Sequence, residues 1–340
     1  MDTSLSFPDV FTFRLDDSVD DGVRAFARNH RNVLTILRTS IVFAVNFIED
    51  ILLATPWWLF ILIVVFLGYK SSQKWQNGIV YGVLVFLIGV FGLWNLMLET
   101  LSLMIFSVIV SIIIGFTLGI VVAMAERSNA VIRPVLDVAQ TIPTFVYIIP
   151  AIMLLGVGRA PAVIATVCYA FVPMVRMTSH GIMNVDKDVI EASTAFGSTK
   201  FQTLVKVQLP QALPTIMVGV NQTIMMAMGM VVTCALIGAT GLGMEILVAT
   251  NRVEIERALL PGIAIVIMAV VLDRLTQGMI REEQDKEYRD EAEEEEVVVV
   301  AKKSPNNSKP NFSLTNNSLV LRYSDVKFMV QKLILGRWIS

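Results

Sequence analysis

The chain has 340 residues, of which 55% are hydrophobic and only 16% charged, with a mean hydropathy of +0.67. A soluble domain carries about 25% charged residues, so this balance points to a polytopic membrane protein. The net charge of −2 leaves no basic footprint for nucleic acid, and two cysteines, Cys168 and Cys234, both inside apolar runs, give neither a disulfide framework nor a zinc site. They read as small buried hydrophobes.

The N-terminal MDTSLSFPDVFTFRLDD lacks a basic region followed by an apolar one, so it does not read as a cleavable signal. Residues 18–50 follow a helical period. Ser18 with Asp21 resembles a capping box, and Val23, Phe26, Val33, Leu34, Leu37, Ile41, Val45 and Ile48 recur at helical spacing. Arg24, Arg28, Arg31 and Arg38 take other faces. The pattern fits an amphipathic helix lying on the outer membrane surface, with an ordinary helical linker as the alternative.

Spanning a bilayer core takes roughly 20 mostly apolar residues. Seven predicted spans meet that test, near 52–69, 78–94, 99–124, 137–156, 161–180, 216–238 and 259–277. Pro56 with Trp57 and Trp58 suits the interfacial start of the first. Gly115 and Gly119 form a GxxxG pair in the third, a spacing that admits a close helix neighbour. Lysines and arginines set the orientation. The connections 70–77, 125–136 and 183–215 carry Lys70, Lys74, Arg127, Arg133, Lys187, Lys200 and Lys206, whereas 95–98 has none and 157–160 only Arg159. The 183–215 loop is therefore expected in the cytoplasm, the N-terminus outside and the C-terminus inside. Asp273 and Arg274 are expected to anchor the last span at the cytoplasmic interface, and Glu99 to sit at the opposite surface.

Beyond Gln277 comes the charge run REEQDKEYRDEAEEEE, then a Lys/Ser/Pro/Asn linker and a short amphipathic stretch. The organisation expected is 1–50, an extracytoplasmic segment with an amphipathic helix; 51–96, two accessory transmembrane helices; 97–278, the main membrane core; and 279–340, a cytoplasmic tail.

No GxxxxGK[ST] occurs, so the usual phosphate cradle is missing. The run 238-GATGLG-243 lacks a βαβ context and reads as a flexible loop. His30 and His180 have no second ligand at metal spacing, so no metal site and no catalytic residues are expected. Ionisable groups are nearly absent from the middle of the spans, unlike in proton-coupled transporters. An uphill transporter built this way takes its energy from a partner.

The segment 188-DVIEASTAFGSTKFQTLVKVQLPQALPT-215 interrupts the apolar chain. Val189, Ala192, Ser193 and Phe196 share one helical face, and Gly197 breaks the pattern. Ser198 or Thr199 suits the cap of a second helix with Phe201, Leu204 and Val205 on its face, and Pro210 is expected to end it.

EAS–x3–G followed by VQLPQALP resembles the EAA loop of type I ABC importer permeases, a pattern of EAA–x3–G with I/V–x–L–P downstream. Glu191, Ala192, Ser193, Gly197, Leu209 and Pro210 occupy the matching positions, Ser193 standing where alanine is commonest. The resemblance covers about Trp94 to Gln277. Within the class the chain is most similar to glycine betaine/proline betaine permeases, through 133-RPVLDVAQTIPTFVYIIPAIMLLGVG-158, 219-GVNQTIMM-226, 240-TGLGMEIL-247 and 272-LDRLTQ-277.

The resemblance implies an all-α, MetI-like core and a role as permease of an ATP-driven, binding-protein-dependent importer of betaine-like solutes in the bacterial inner membrane. It implies a second permease copy, two ATP-binding subunits that carry the ATP and magnesium, and a separate extracytoplasmic substrate-binding protein. No cofactor is then bound by this chain itself. Choline, carnitine, trimethylamine N-oxide or an amino acid are alternative solutes. An ion-coupled secondary transporter and a non-transporting scaffold are alternative classes. Candidate path residues are Gln140, Thr141 and Tyr147 around the fourth span and Asn221, Gln222 and Thr223 in the sixth; interhelical hydrogen bonding is the other reading of the polar ones. Phe145 and Tyr147 have faces suited to a quaternary ammonium, and Met225, Met226, Met228 and Met230 make an adaptable wall, though packing accounts for both.

Overall fold

A computed structural model describes residues 16–125 and 128–278, and these residues form helices without strands. The acidic run and the last amphipathic stretch lie outside the described residues.

The N-terminal region folds as α1 (Asp16–Asn29) and α2 (Arg31–Ala54), broken at His30. The helix is already under way at Asp16, so Ser18 sits in its first turn instead of capping it. Leu34, Ile41, Val45 and Leu52 of α2 turn inward, with Ile41 and Val45 buried. Their spacings of seven, four and seven keep them on one stripe. Val33 and Leu37 from the same apolar set stay exposed.

Pro56 ends this run and α3 (Trp57–Ser72) leaves at 98° to α2, so the first predicted span begins at Trp57 and not at 52. Proline forces the preceding Thr55 out of the helical region, and Thr55 lies at φ −77°, ψ 121°. α4 (Trp75–Val90) returns along α3. The hairpin is glycine-packed: a Cβ at Gly78 would lie 3.0 Å from Tyr69 N, and one at Gly68 2.6 Å from Tyr81 Cδ2. Each of these helices has 16 residues, a rise of about 24 Å.

Three helices make the centre. α5 (Trp94–Met124) and α8 (Arg159–Met183) pack along each other, and α10 (Lys200–Ile237) packs along α8 and also touches α5. Small residues permit the approach. A Cβ at Gly115 would sit 2.6 Å from Met174 Cβ, and one at Gly119 2.6 Å from Thr178 Cβ. Across the second seam, a Cβ at Gly219 would sit 2.8 Å from Met177 Cβ. The GxxxG pair therefore serves the α5–α8 contact within one chain. Cys234 is buried there with its thiol toward Ala162 O at 3.6 Å, but Cys168 is exposed on α8, contrary to the expectation that both are buried.

The fourth predicted span, 137–156, is not one helix. α6 (Ser128–Thr141) and α7 (Thr144–Leu155) meet at 90° across Pro143. Proline again excludes the helical conformation at the residue before it. α9 (Lys187–Ala195) precedes α10, α11 (Leu242–Arg252) follows it, and α12 (Ile255–Gly278) ends the described chain.

Against seven predicted spans, four described helices (α5, α8, α10 and α12) are long and apolar enough to cross a membrane, or up to six if each bent pair counts as one. The difference lies in the proline breaks and in the short α4.

Candidate functional site

The segment between α8 and α10 is a built joint. Asp186 caps α9 by accepting the Asp188 N–H at 2.9 Å. α9 ends where Gly197 takes φ +82°, a left-handed conformation natural to glycine, with its N–H donating to Thr194 O at 2.9 Å. Ser198 N–H donates to Ser193 O at 3.2 Å, which closes the C-terminal turn.

Thr199 then caps α10 through a reciprocal box. Gln202 N–H donates to Thr199 Oγ1 at 3.3 Å, and Thr199 N–H donates to Gln202 Oε1 at 2.9 Å. Three hydroxyls lie between the two helices. Ser198 Oγ donates to Ser193 O at 2.7 Å and lies 2.6 Å from Ser193 Oγ and 2.8 Å from Thr203 Oγ1. Ser193, where the EAA pattern has alanine, thus joins both sides of the turn.

Pro210 does not end the second helix. α10 runs unbroken from Lys200 to Ile237, through a π-turn at Leu204–Gln208 in which Leu209 N–H donates to Leu204 O. The wider i→i−5 ring accommodates a proline that would crowd an ordinary α-helical turn. Leu209 and Leu204 pack with Met174 and Ile182 of α8, while Pro210 stays exposed. The joint therefore continues into the helix that lines α8.

The outer face of this joint carries apolar side chains that none of the described residues covers. Phe196 is 88% and Phe201 68% exposed, with Val189 and Val205 also exposed. Glu191 and Ala192 are exposed on α9. An exposed aromatic pair on a hydrogen-bonded turn suits an interface anchor. Periodicity placed these side chains on helical faces but could not show that the faces point outward.

The predicted path residues do not form one cluster. Gln140 and Thr141 end α6, where Thr141 Oγ1 donates to Val138 O at 2.9 Å. Tyr147 donates its hydroxyl to Ala139 O at 2.5 Å, and its ring meets Tyr169 edge-on at 5.9 Å; Phe145 is exposed. On α10, Gln222 is exposed and Thr223 is fully buried with no hydrogen-bond partner for its hydroxyl. Asn221 donates to Asp273 Oδ1 at 3.3 Å, and Gln277 donates to both oxygens of Asp273 at 2.8 Å. This links α10 to α12, a contact the sequence did not reveal.

At the end of the core away from α9, turns interlock. Gly158 N–H donates to Ile237 O at 2.9 Å, and Leu242 N–H donates to Thr100 Oγ1 at 2.9 Å. The glycines of 238-GATGLG-243 serve this knot: Gly238 and Gly241 have φ +81° and +117°, and a Cβ on Gly241 would strike Thr100 Oγ1. A cavity of about 630 Å³, lined in part by Trp57, Phe86, Trp94 and Asn95, lies at the bend between α2 and α3 and shares no residue with the predicted path. Among the described residues, no group of three or more His, Cys, Asp and Glu is placed to hold a metal.

Comparison with known proteins adds the family. Residues 111–281 match the family described as binding-protein-dependent transport system inner membrane component. The glycine betaine/carnitine transport permease protein GbuB of Listeria monocytogenes serotype 1/2a (strain 10403S) is 40% identical over 79% of this chain and 96% of its own. The glycine betaine/proline betaine transport system permease protein ProW of Escherichia coli (strain K12) is 38% identical over 80% of this chain and 77% of its own. The glycine betaine transport system permease protein OpuAB of Bacillus subtilis (strain 168) is 42% identical over 73% and 85%. Among solved structures, an inward-facing form of the MetNI methionine ABC transporter superposes with a TM-score of 0.51 at 21% identity. It covers 58% of this chain and 96% of that one, which shows the shared helical fold. On the profile match and these relatives together, the chain belongs to the family of binding-protein-dependent transport system inner membrane components.

Proposed function

We propose that the chain is the membrane-spanning permease of an ATP-driven importer of glycine betaine-like compatible solutes, and that the α9–Gly197–α10 joint receives the push of a separate ATP-hydrolysing subunit. The observation that carries the coupling role is the exposed Phe196–Phe201 pair on a turn held rigid from within. A flexible loop would absorb a displacement; this one passes it into α10, which runs 38 residues along the core. Glu191, Ala192, Ser193 and Gly197 shape the contact, while Leu209 and Pro210 carry it back toward α8.

The solute class follows from relatives whose names give glycine betaine, proline betaine and carnitine. A trimethylamine N-oxide transport system permease protein that is 36% identical over 68% of this chain keeps that solute open. ATP and magnesium belong to the partner subunits, and this chain is a transport subunit with no cofactor of its own. Two copies form the path, with Gln140, Thr141, Tyr147, Asn221, Gln222 and Thr223 as its candidate lining. A solute-binding protein delivers from the outside, the joint and C-terminus face the cytoplasm, and the N-terminus lies outside.

Phe196→Ala combined with Phe201→Ala is expected to lower retention of the ATP-hydrolysing subunit by at least tenfold when the complex is purified through this chain. Truncating two aromatic anchors costs on the order of 2 kcal/mol each or more. The membrane-inserted amount of the chain itself is expected to stay within twofold. Undiminished retention would place the contact elsewhere.

A further inference from the structure

Arg159 opens α8, and its guanidinium gathers side chains from three other parts of the chain. Nη1 donates to Glu49 Oε2 and, at 2.8 Å, to Asn46 Oδ1, both on α2. Nη2 reaches Glu49 Oε1 at 3.3 Å and Glu99 Oε2 of α5 at 3.7 Å. Nε and Nη2 donate to Thr240 Oγ1 at 3.1 and 2.9 Å, in the turn before α11.

The Arg159 side chain is 21% exposed and that of Glu49 13%. A cation at the first position of a helix opposes the helix dipole, so the side chain is held there by its partners and not by α8. The fork of Arg suits this task, since it offers several donors in fixed directions. Beneath it, the Leu34–Ile41–Val45–Leu52 stripe fastens α2 onto the core. Yet α2 lies wholly outside residues 111–281 that match the family.

We propose that Arg159 is a positioning residue that makes α2 a working part of the transport core. It ties α2 to the starts of α5 and α8 and to the 238–241 turn, and these four move as one body through the transport cycle. A passive anchor would need only the apolar stripe; a half-buried guanidinium shared by two carboxylates, an amide and a hydroxyl fixes angle and register as well. The inference rests on the transport function proposed above.

The test uses the full chain with its ATP-hydrolysing and solute-binding partners in proteoliposomes, and reads uptake per ATP hydrolysed. Glu49→Gln and Arg159→Gln are each expected to lower this ratio at least fivefold in assembled complexes. A merely structural role would lower uptake and hydrolysis together and leave the ratio unchanged, which would overturn the proposal.

The second measurement places Asn46→Cys and Thr240→Cys in a transport-active Cys168→Ala, Cys234→Ala background and links them with a short bis-methanethiosulfonate. Linked complexes are expected to show at least the uptake of the same double-cysteine complexes before linking, because the covalent bridge restores the tie between α2 and the turn that the two substitutions remove. Loss of uptake that returns on reduction would show that they must separate, and would overturn the proposal. Uptake by the unmodified complex without ATP would strike the proposed function instead, which keeps the two failures apart.

Discussion

Replacing Gly119 by leucine is expected to remove most of the folded protein from the membrane. A Cβ at this position would lie 2.6 Å from Thr178 Cβ, 2.9 Å from Thr178 Cγ2 and 3.0 Å from the Val175 carbonyl oxygen. Two of these atoms belong to a β-branched side chain and one to backbone, so neither can swing aside. The α5–α8 seam has a second clash-prone glycine one turn away, Gly115, whose Cβ would meet Met174 Cβ and the Phe171 carbonyl. Separating the helices to admit leucine would also loosen Ser107, Ser111, Thr166 and Thr178, all fully buried along these two helices. Overpacking of this kind costs about 1–3 kcal/mol at one site, and more where backbone is struck. Folded yield in detergent, read by size exclusion, and the unfolding midpoint would both fall. Gly262→Leu on α12 is the control, since nothing lies within 4 Å of a Cβ there, and it is expected to keep wild-type yield.

Gly197→Pro is expected to do the opposite: leave the fold and remove the coupling. No atom lies within 4 Å of a Cβ at Gly197, so the constraint is conformational and not steric. Its φ of +82° is closed to proline, which holds φ near −65°. Proline also deletes the N–H that donates to Thr194 O. The turn must reopen, and with it the Ser193–Ser198–Thr203 hydroxyl cluster. Since α9 buries none of its residues, core stability is largely spared. Uptake is expected to fall at least tenfold and solute-stimulated ATP hydrolysis to lose its stimulation, with inserted protein within twofold of normal. Gly197→Ala, at a cost of about 1 kcal/mol for the left-handed conformation, is expected to fall in between. Normal stimulation in the proline variant would contradict the coupling role.

These two glycines show how legibility varied along the sequence. The Gly115/Gly119 spacing announced a close helix approach, but only the fold names α8 as the neighbour, because spacing carries no partner. At Gly197 the helix break was legible in full, since a glycine after an apolar helical face followed by a capping threonine is local chemistry. Pro210 misled for a related reason. Local rules end a helix there, and the π-turn that relieves it is invisible to them. Pro143 and Pro56 were the reverse case, where long apolar runs hid sharp bends that the prolines impose.

The candidate site divided likewise. The joint is contiguous in sequence, so its residues could be assembled by pattern. Asn221 with Asp273, and Arg159 with Glu49, Glu99 and Thr240, are separated by 52 to 110 residues, and nothing local pairs them. The solute path is harder still: its candidate residues sit on α6, α7 and α10, three helices that all pack against α8, with α10 far from the other two in sequence. Resemblance filled the role of the joint, while the fold supplied its rigidity and outward aromatic face.

Uptake of radiolabelled glycine betaine by proteoliposomes tests the central claim most directly, comparing this chain alone with the chain reconstituted beside its ATP-hydrolysing and solute-binding partners. No accumulation is expected by the chain alone, with or without an ion gradient, and accumulation by the full set only when ATP is supplied. Accumulation by the chain alone, driven by an ion gradient, would contradict the claim.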